Sequence, residues 1–231
     1  MNRPDCHAHG EGARPLAGRL SEVHRLLLAC HGPQHWWPAD SPFEVIVGAI
    51  LTQSAAWSNV EKAILNLKES GSLAPASLRD LPLDKLARLV YPSGYYNAKA
   101  LKLKSFVEYL ASAHQDSLES LFSLDVQLLR NELLAIHGIG PETADSIILY
   151  AAGQPVFVID AYTRRILLRL GLAAPDNDYS SLQMLFMENL PPEERLFNEY
   201  HALLVRHGKE VCRKTPQCDS CCLADLCPRN L

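Results

Sequence analysis

Apolar positions recur along this chain every three or four residues. Leu20, Val23, Leu26, Leu27 and Cys30 fall on one stripe of a helix. The next run, 42–54, opens with Ser41 at the N-cap, Pro42 at the first helical position and Glu44 in the first turn. Helical period continues over 57–67 and over 97–113, where Lys99, Lys102 and Lys104 crowd the start. Two further runs, 125–136 and 141–152, are joined by His137-Gly138-Ile139-Gly140, and runs at 160–170, 180–189 and 193–207 complete the set. The nearest approach to a strand is 156–159, which is too short and isolated to build a sheet. The pattern predicts an all-α fold whose short loops are marked by Pro or Gly.

Composition changes this picture little. Of the 231 residues, 48% are hydrophobic and 21% charged, ordinary values for a folded chain. The longest apolar stretches, such as 45–51 and 147–152, are too short to span a bilayer. No basic segment followed by an apolar run opens the chain, so a cytoplasmic protein without a secretory signal or membrane span is expected. Residues 1–14 read as a loose polar tail, although Cys6, His7 and His9 are metal-ligand types. A net charge of −4 argues against a uniformly basic coat but leaves room for a local basic face.

The cysteines are informative by placement. Of seven, Cys6 and Cys30 stand alone and five lie within 212–227. A disulfide framework would be spread along a small secreted chain, so a terminal cluster reads as a metal site. Cys212-x5-Cys218-x2-Cys221-x5-Cys227 offers four thiolates, suited to tetrahedral zinc or to a four-iron four-sulfur cluster, and leaves Cys222 as a spare thiol.

The hairpin 133–144 carries the next signal. Gly138 and Gly140 flank one apolar residue, which permits a tight turn with outward backbone N–H groups that a phosphate can approach. Pro141 suits the first turn of the helix that follows, whose N-terminus favours an anion. A plain αα-hairpin is the competing reading, and a non-enzymatic DNA-binding module is a second. Further on, an apolar run leads into Asp160, which taken alone reads as the N-cap of a helix.

With the hairpin, the run Gly153-Gln154-Pro155-Val156-Phe157-Val158-Ile159-Asp160 and the terminal cysteines, the chain from about residue 42 onward resembles the helix-hairpin-helix superfamily of base-excision DNA glycosylases typified by endonuclease III. The resemblance implies a helical barrel domain over 42–152 and a second helical domain from 1–41 with 153–231. Double-stranded DNA bearing a damaged base would lie between them, bound by a monomer. It implies Asp160 as the catalytic carboxylate, and a hairpin (His137, Gly138, Gly140, Thr143) that grips the DNA backbone with a monovalent or divalent ion. Gln53, Arg164 and Lys209 are candidates for further DNA contacts, with Lys99 and Arg165 beside them, and solvated surface charge is the competing reading for the charged ones. A [4Fe-4S] cluster on Cys212, Cys218, Cys221 and Cys227 is implied ahead of zinc, with a first gap of five residues where the most familiar members have six.

Two features bear on the reaction. Bifunctional members carry a lysine nucleophile directly before the Thr-Ala pair of the hairpin, and here that position is Glu142. A monofunctional enzyme that uses water is therefore expected. Trp36-Trp37-Pro38, Leu51-Thr52-Gln53 and Trp57 also resemble the 3-methyladenine glycosylase branch. An aromatic slot from Trp36, Trp37, Pro38 and Trp57 suits an alkylated, cationic purine. Uracil or thymine mismatches and oxidised pyrimidines are the alternative lesions.

Overall fold

A computed structural model describes residues 15–229, and the tail residues Cys6, His7 and His9 lie outside that range. Twelve α-helices account for most of it: α1 (Leu16–His31), α2 (Pro42–Leu51), α3 (Trp57–Glu69), α4 (Pro75–Asp80), α5 (Leu83–Leu89), α6 (Tyr96–His114), α7 (Leu118–Phe122), α8 (Val126–Ala135), α9 (Pro141–Tyr150), α10 (Ala161–Arg169), α11 (Tyr179–Met187) and α12 (Glu194–Glu210). Single 3-10 turns occur at Tyr91–Ser93, Cys218–Ser220 and Ala224–Leu226, and the described residues contain no strand. The fold is all-α, as the periodicity predicts. No described helix is long and apolar enough to cross a membrane.

The helix starts follow local chemistry. Ser41 Oγ accepts from the Glu44 amide at 3.2 Å, and Pro42 occupies the first turn. Asp125, Asp160 and Asp178 cap α8, α10 and α11 in the same way. Helices α4, α5 and α7 were not foreseen. They run five to seven residues, too few for an apolar stripe to show its period.

Apolar side chains gather into two cores. The first runs from Phe43 to Val156 and is built around α2, whose residues Phe43 to Leu51 are all buried. A helix buried on every side must be apolar nearly all round, and the one charged residue here, Glu44, is paired with Lys68 at 2.7 Å. The second core joins Leu20, Val23 and Leu27 of α1 to residues between Leu149 and Leu223. The first and last described helices, α1 and α12, therefore share one core. Leu149 belongs to the second core and Val156 to the first, so the two interlock across the segment that links them.

That segment, 156–159, is buried, yet it belongs to no helix and pairs with no strand. Its backbone polar groups must then find other partners. The Phe157 amide donates to Met187 Sδ at 3.4 Å, and the Phe157 carbonyl accepts from Gln183 Nε2 at 2.7 Å. The Ile159 amide donates to Tyr179 Oη at 3.4 Å. Tyr179 and Gln183 in turn donate to Asp145, each at 2.8 Å, and Asp145 also receives a two-pronged Arg130 at 2.7 and 3.2 Å. Asp145 is fully buried. It thus ties α8, α9 and α11 to the segment that leads into Asp160.

Candidate active site

Asp160 sits at the N-cap of α10, where Oδ1 accepts from the Thr163 amide at 2.7 Å. The cap uses one of the two carboxylate oxygens. Three neighbours feel the charge of Asp160: Glu142 at the start of α9, Tyr150 at its end, and His201 on α12. Neither Tyr150 nor His201 was singled out by the sequence, since a tyrosine ending a helix and a buried histidine carry no motif. Tyr150 Oη and His201 Nδ1 are 2.5 Å apart. Burial holds both neutral, raising the Tyr150 hydroxyl well above its usual range and lowering the His201 imidazole. Lys209, exposed on the last turn of α12, adds a positive charge within reach of His201 and lowers it further.

Glu142 behaves unusually for a glutamate. Its side chain is solvent-accessible at the rim, yet the surrounding walls strip away hydrating water. That loss, with the Asp160 charge second, pushes its carboxyl up to about 7. The sign of the consequence follows from proton counting. Between an ordinary 4.5 and about 7, the folded chain holds a proton that the unfolded chain has lost. The stability from this group therefore falls as pH rises through that window. Glu142→Gln is expected to flatten the slope of thermal stability against pH over this range, measured by unfolding scans in matched buffers. In the same variant, an inflection near pH 7 in the rate of base release should disappear; an unchanged inflection would assign it to another group.

The aromatic residues converge. Trp36 and Trp57 ring centroids lie 4.9 Å apart edge-to-face, Trp36 and Trp37 5.0 Å, and Trp37 and Trp57 5.3 Å. Trp37 also meets Tyr150 at 5.3 Å, which links the indole cluster to the Asp160 neighbourhood. Trp37 is pressed onto α2 at Gly48, where an added Cβ would stand 3.0 Å from the indole. Trp57 is held by its indole N–H donating to Glu61 at 2.7 Å. The indole N–H of Trp37 is buried and has no partner within the described residues. Pro38 lies exposed after the pair.

The hairpin turns at Gly138, whose φ of +84° suits glycine, while Gly140 is extended. His137 is exposed at the tip, and α9 starts without a side-chain cap, so its first N–H groups remain available to an anion. Thr143 is buried instead. Gln53, expected at DNA, faces inward here: its amide donates to Thr143 Oγ1 at 2.9 Å and to the Gly138 carbonyl at 3.2 Å, and its Oε1 accepts from Lys102 Nζ. These bonds join it to both sides of the turn. Lys102 packs its alkyl chain against Gly138, where any Cβ would collide with it.

Other expected phosphate contacts are also spent inside the chain. Lys99 is 2% exposed and donates to the carbonyls of Leu51 and Ser93 at 2.7 and 2.6 Å, completing the C-terminal end of α2. Burial, with nearby Lys102, lowers its amine to about 8. Arg164 donates to the carbonyls of Asn177 and Pro175 at 2.6 and 2.7 Å. Arg165 donates to those of Cys212 and Gly208, both at 2.9 Å. Spacing alone could not reveal these partners, which lie far along the chain or in loops.

Cys212, Cys218, Cys221 and Cys227 surround a cavity of about 350 Å³ including its open mouth, lined also by Arg169 and Pro216. Arg169 donates to Cys212 Sγ at 3.3 Å and to the carbonyls of Arg213 and Lys214 at 2.6 and 3.0 Å.

Residues 47–192 match the family described as HhH-GPD superfamily base excision DNA repair protein. A Methanocaldococcus jannaschii protein with the provisional description DNA repair glycosylase is 42% identical over 209 residues, covering 90% of this chain and 95% of that protein. The crystal structure of H. pylori 3-methyladenine DNA glycosylase bound to 1,N6-ethenoadenine is similar at a TM-score of 0.74 and 29% identity, over 84% of this chain and 97% of that one. A non-covalent endonuclease III–DNA complex has the same fold at a TM-score of 0.80 and 23% identity, over 92% and 95% of the respective chains.

Proposed function

The chain belongs to the HhH-GPD superfamily of base excision DNA repair proteins, and on that premise we propose that it is a monofunctional glycosylase that removes alkylated purines by water attack at a flipped-out nucleotide. The coarser statement, a DNA glycosylase of base excision repair, is what family membership establishes. The observation that carries the finer one is the three-tryptophan cluster joined through Tyr150 to Asp160. A purine methylated at a ring nitrogen is cationic, and a cation against an indole face gains about 0.5–2 kcal/mol. The H. pylori relative, solved with an etheno-adenine base, supports the same class.

The DNA would lie in the cleft between the domain of 42–152 and that of 1–41 with 153–231. The base leaves the stack and enters the aromatic slot. As the glycosidic bond lengthens, positive charge grows on the sugar. Asp160 is the fixed negative charge placed to stabilise it, and its carboxylate orients and deprotonates the attacking water. Glu142 keeps its proton up to about pH 7 and supplies no amine, so no Schiff base forms at its position. A panel of duplexes, each with one lesion, assayed for abasic sites and for borohydride-trapped adducts, tests this. Release of 3-methyladenine without an adduct is expected. A trapped adduct, or release confined to oxidised pyrimidines or mismatched uracil and thymine, would overturn it in favour of an endonuclease III-like activity.

The cysteine loop suits a [4Fe-4S] cluster better than zinc. Four thiolates on one zinc stand about 3.8 Å apart, since each bond is about 2.3 Å. The loop cysteines instead ring a cavity, and the described ligand atoms gathered within 4.8 Å in a set of three are others. Cys212, Cys218, Cys221 and Cys227 would hold the cluster, which when bound cross-links the loop. Arg165 and Arg169 anchor that loop to α10, the helix that Asp160 caps.

A further inference from the structure

The ligand set that does gather to a point lies where α1 ends. Cys30 and His31 are the last two residues of α1, and Cys222 follows Cys221 in the cysteine loop. One ligand atom from each lies within 4.8 Å of the other two. Zinc bound by two thiolates and an imidazole needs its ligand atoms about 3.4–3.8 Å apart, so small side-chain rotations complete the approach. Cys30 is exposed, which gives an ion its path in.

The hydrogen bonds behind the group suit a metal. His207 Nε2 lies 3.5 Å from Cys221 Sγ, and His207 Nδ1 lies 3.1 Å from His31 Nε2. With the Cys221 sulfur as acceptor, His207 carries its proton on Nε2 and accepts on Nδ1. His31 then donates from Nε2, and its Nδ1 is left with a bare lone pair. An imidazole that donates through one nitrogen and offers the other is the usual arrangement of a metal-bound histidine. His207, 1% exposed, thereby stands between this group and the cluster loop.

We propose that Cys30, His31 and Cys222 form a zinc site, separate from the four-cysteine cluster, that clamps the end of α1 to the cysteine loop. Two sulfurs and one imidazole nitrogen are a donor set for a tetrahedral, borderline-soft ion, with water as the fourth ligand. Each thiol releases its proton to solvent as its zinc–sulfur bond forms. The hydrogen-bond chain rests on the reading of Cys221 as a cluster ligand, whereas the three zinc ligands do not.

The test loads the iron-replete protein with zinc chloride under a thiol-free reductant, desalts it over a weak chelator, and measures zinc and iron by mass spectrometry. Wild type should retain one equivalent of zinc, and its zinc X-ray absorption spectrum should fit two sulfurs and two nitrogen or oxygen ligands, one of them an imidazole. Cys30→Ser and His31→Ala should each lower retained zinc tenfold or more with iron unchanged, and Cys222→Ser likewise. Wild type without retained zinc, zinc held equally in the variants, or loss of iron from Cys222→Ser would each overturn the site. A Cys30–Cys222 disulfide persisting under reductant would do the same. Zinc at this site in a chain that carries no iron would uphold it and overturn the cluster reading alone.

Discussion

Asp160→Asn is expected to slow base release by about 10³–10⁴-fold while leaving lesion-DNA affinity within about twofold. The substitution separates the two jobs of one side chain. Asparagine caps helices as well as aspartate does, and its amide oxygen can still accept from the Thr163 amide. The start of α10 therefore stays intact, and the arginines on that helix keep their hold on the cysteine loop. What is lost is the negative charge, and with it the stabilisation of a sugar cation and the basicity that activates water. Tyr150 and His201 are held neutral by burial and cannot replace it. Single-turnover assays with enzyme in excess give the chemical step, and gel shifts with the same duplex give binding. Turnover at the wild-type rate would sink the assignment of Asp160. An equal loss of binding and turnover would instead mean that the variant has disturbed the cleft.

The largest stability effect is expected at Asp145. Its carboxylate is fully buried and meets Arg130, Tyr179 and Gln183 at once. Asp145→Ala leaves the Arg130 charge and two polar side chains without their acceptor. Breaking a buried pair from one side costs about 3–5 kcal/mol, which in a chain of this length lowers Tm by roughly 6–20 °C. Arg130→Met combined with Asp145→Leu should recover part of that loss, because no unpaired charge remains. Tyr179→Phe makes a finer test. It removes one hydroxyl that accepts from the Ile159 amide, costing about 1 kcal/mol, and should slow base release more than it weakens DNA binding. Thermal unfolding with and without each change checks the order. A double variant no more stable than Asp145→Ala would show that the loss is a packing effect.

The elements that the sequence exposes are those whose signal is local. The stripe of α1, the Ser41-Pro42-Glu44 start of α2, the glycines of the hairpin and the spacing of the loop cysteines each depend on residues a few positions apart. Segment 156–159 could be recognised as buried but not explained. Its backbone partners are Met187, Tyr179 and Gln183, twenty to thirty residues later. Lys99 reads as a surface cation because it opens a helix beside Lys102 and Lys104, and only tertiary packing shows that it caps α2. Gln53 and Arg164 are polar residues near the right motifs, yet distant carbonyls and hydroxyls claim them. Of the cleft, the family motif supplies Asp160 and the composition supplies the tryptophans. Tyr150 and His201 come from the ends of separate helices, which no spacing rule connects.

The packing of α1 against much later helices in the second core has a consequence for biosynthesis. Helix α1 is made early, yet its partners are made late: Arg19 donates to the Leu170 carbonyl, and the Tyr200 hydroxyl reaches the Leu20 carbonyl 180 residues back. A nascent chain that has emerged through Val156 already contains every residue of the other core and can condense it on the ribosome. It then carries a hairpin able to hold a phosphate, but neither His201 nor the cysteine loop, and the apolar stripe of α1 still lacks its cover. The aspartate proposed as catalytic is framed only once His201 and the cysteine loop have followed the hairpin, so on that proposal a chain that stops before them can touch DNA without the means to cut a base from it.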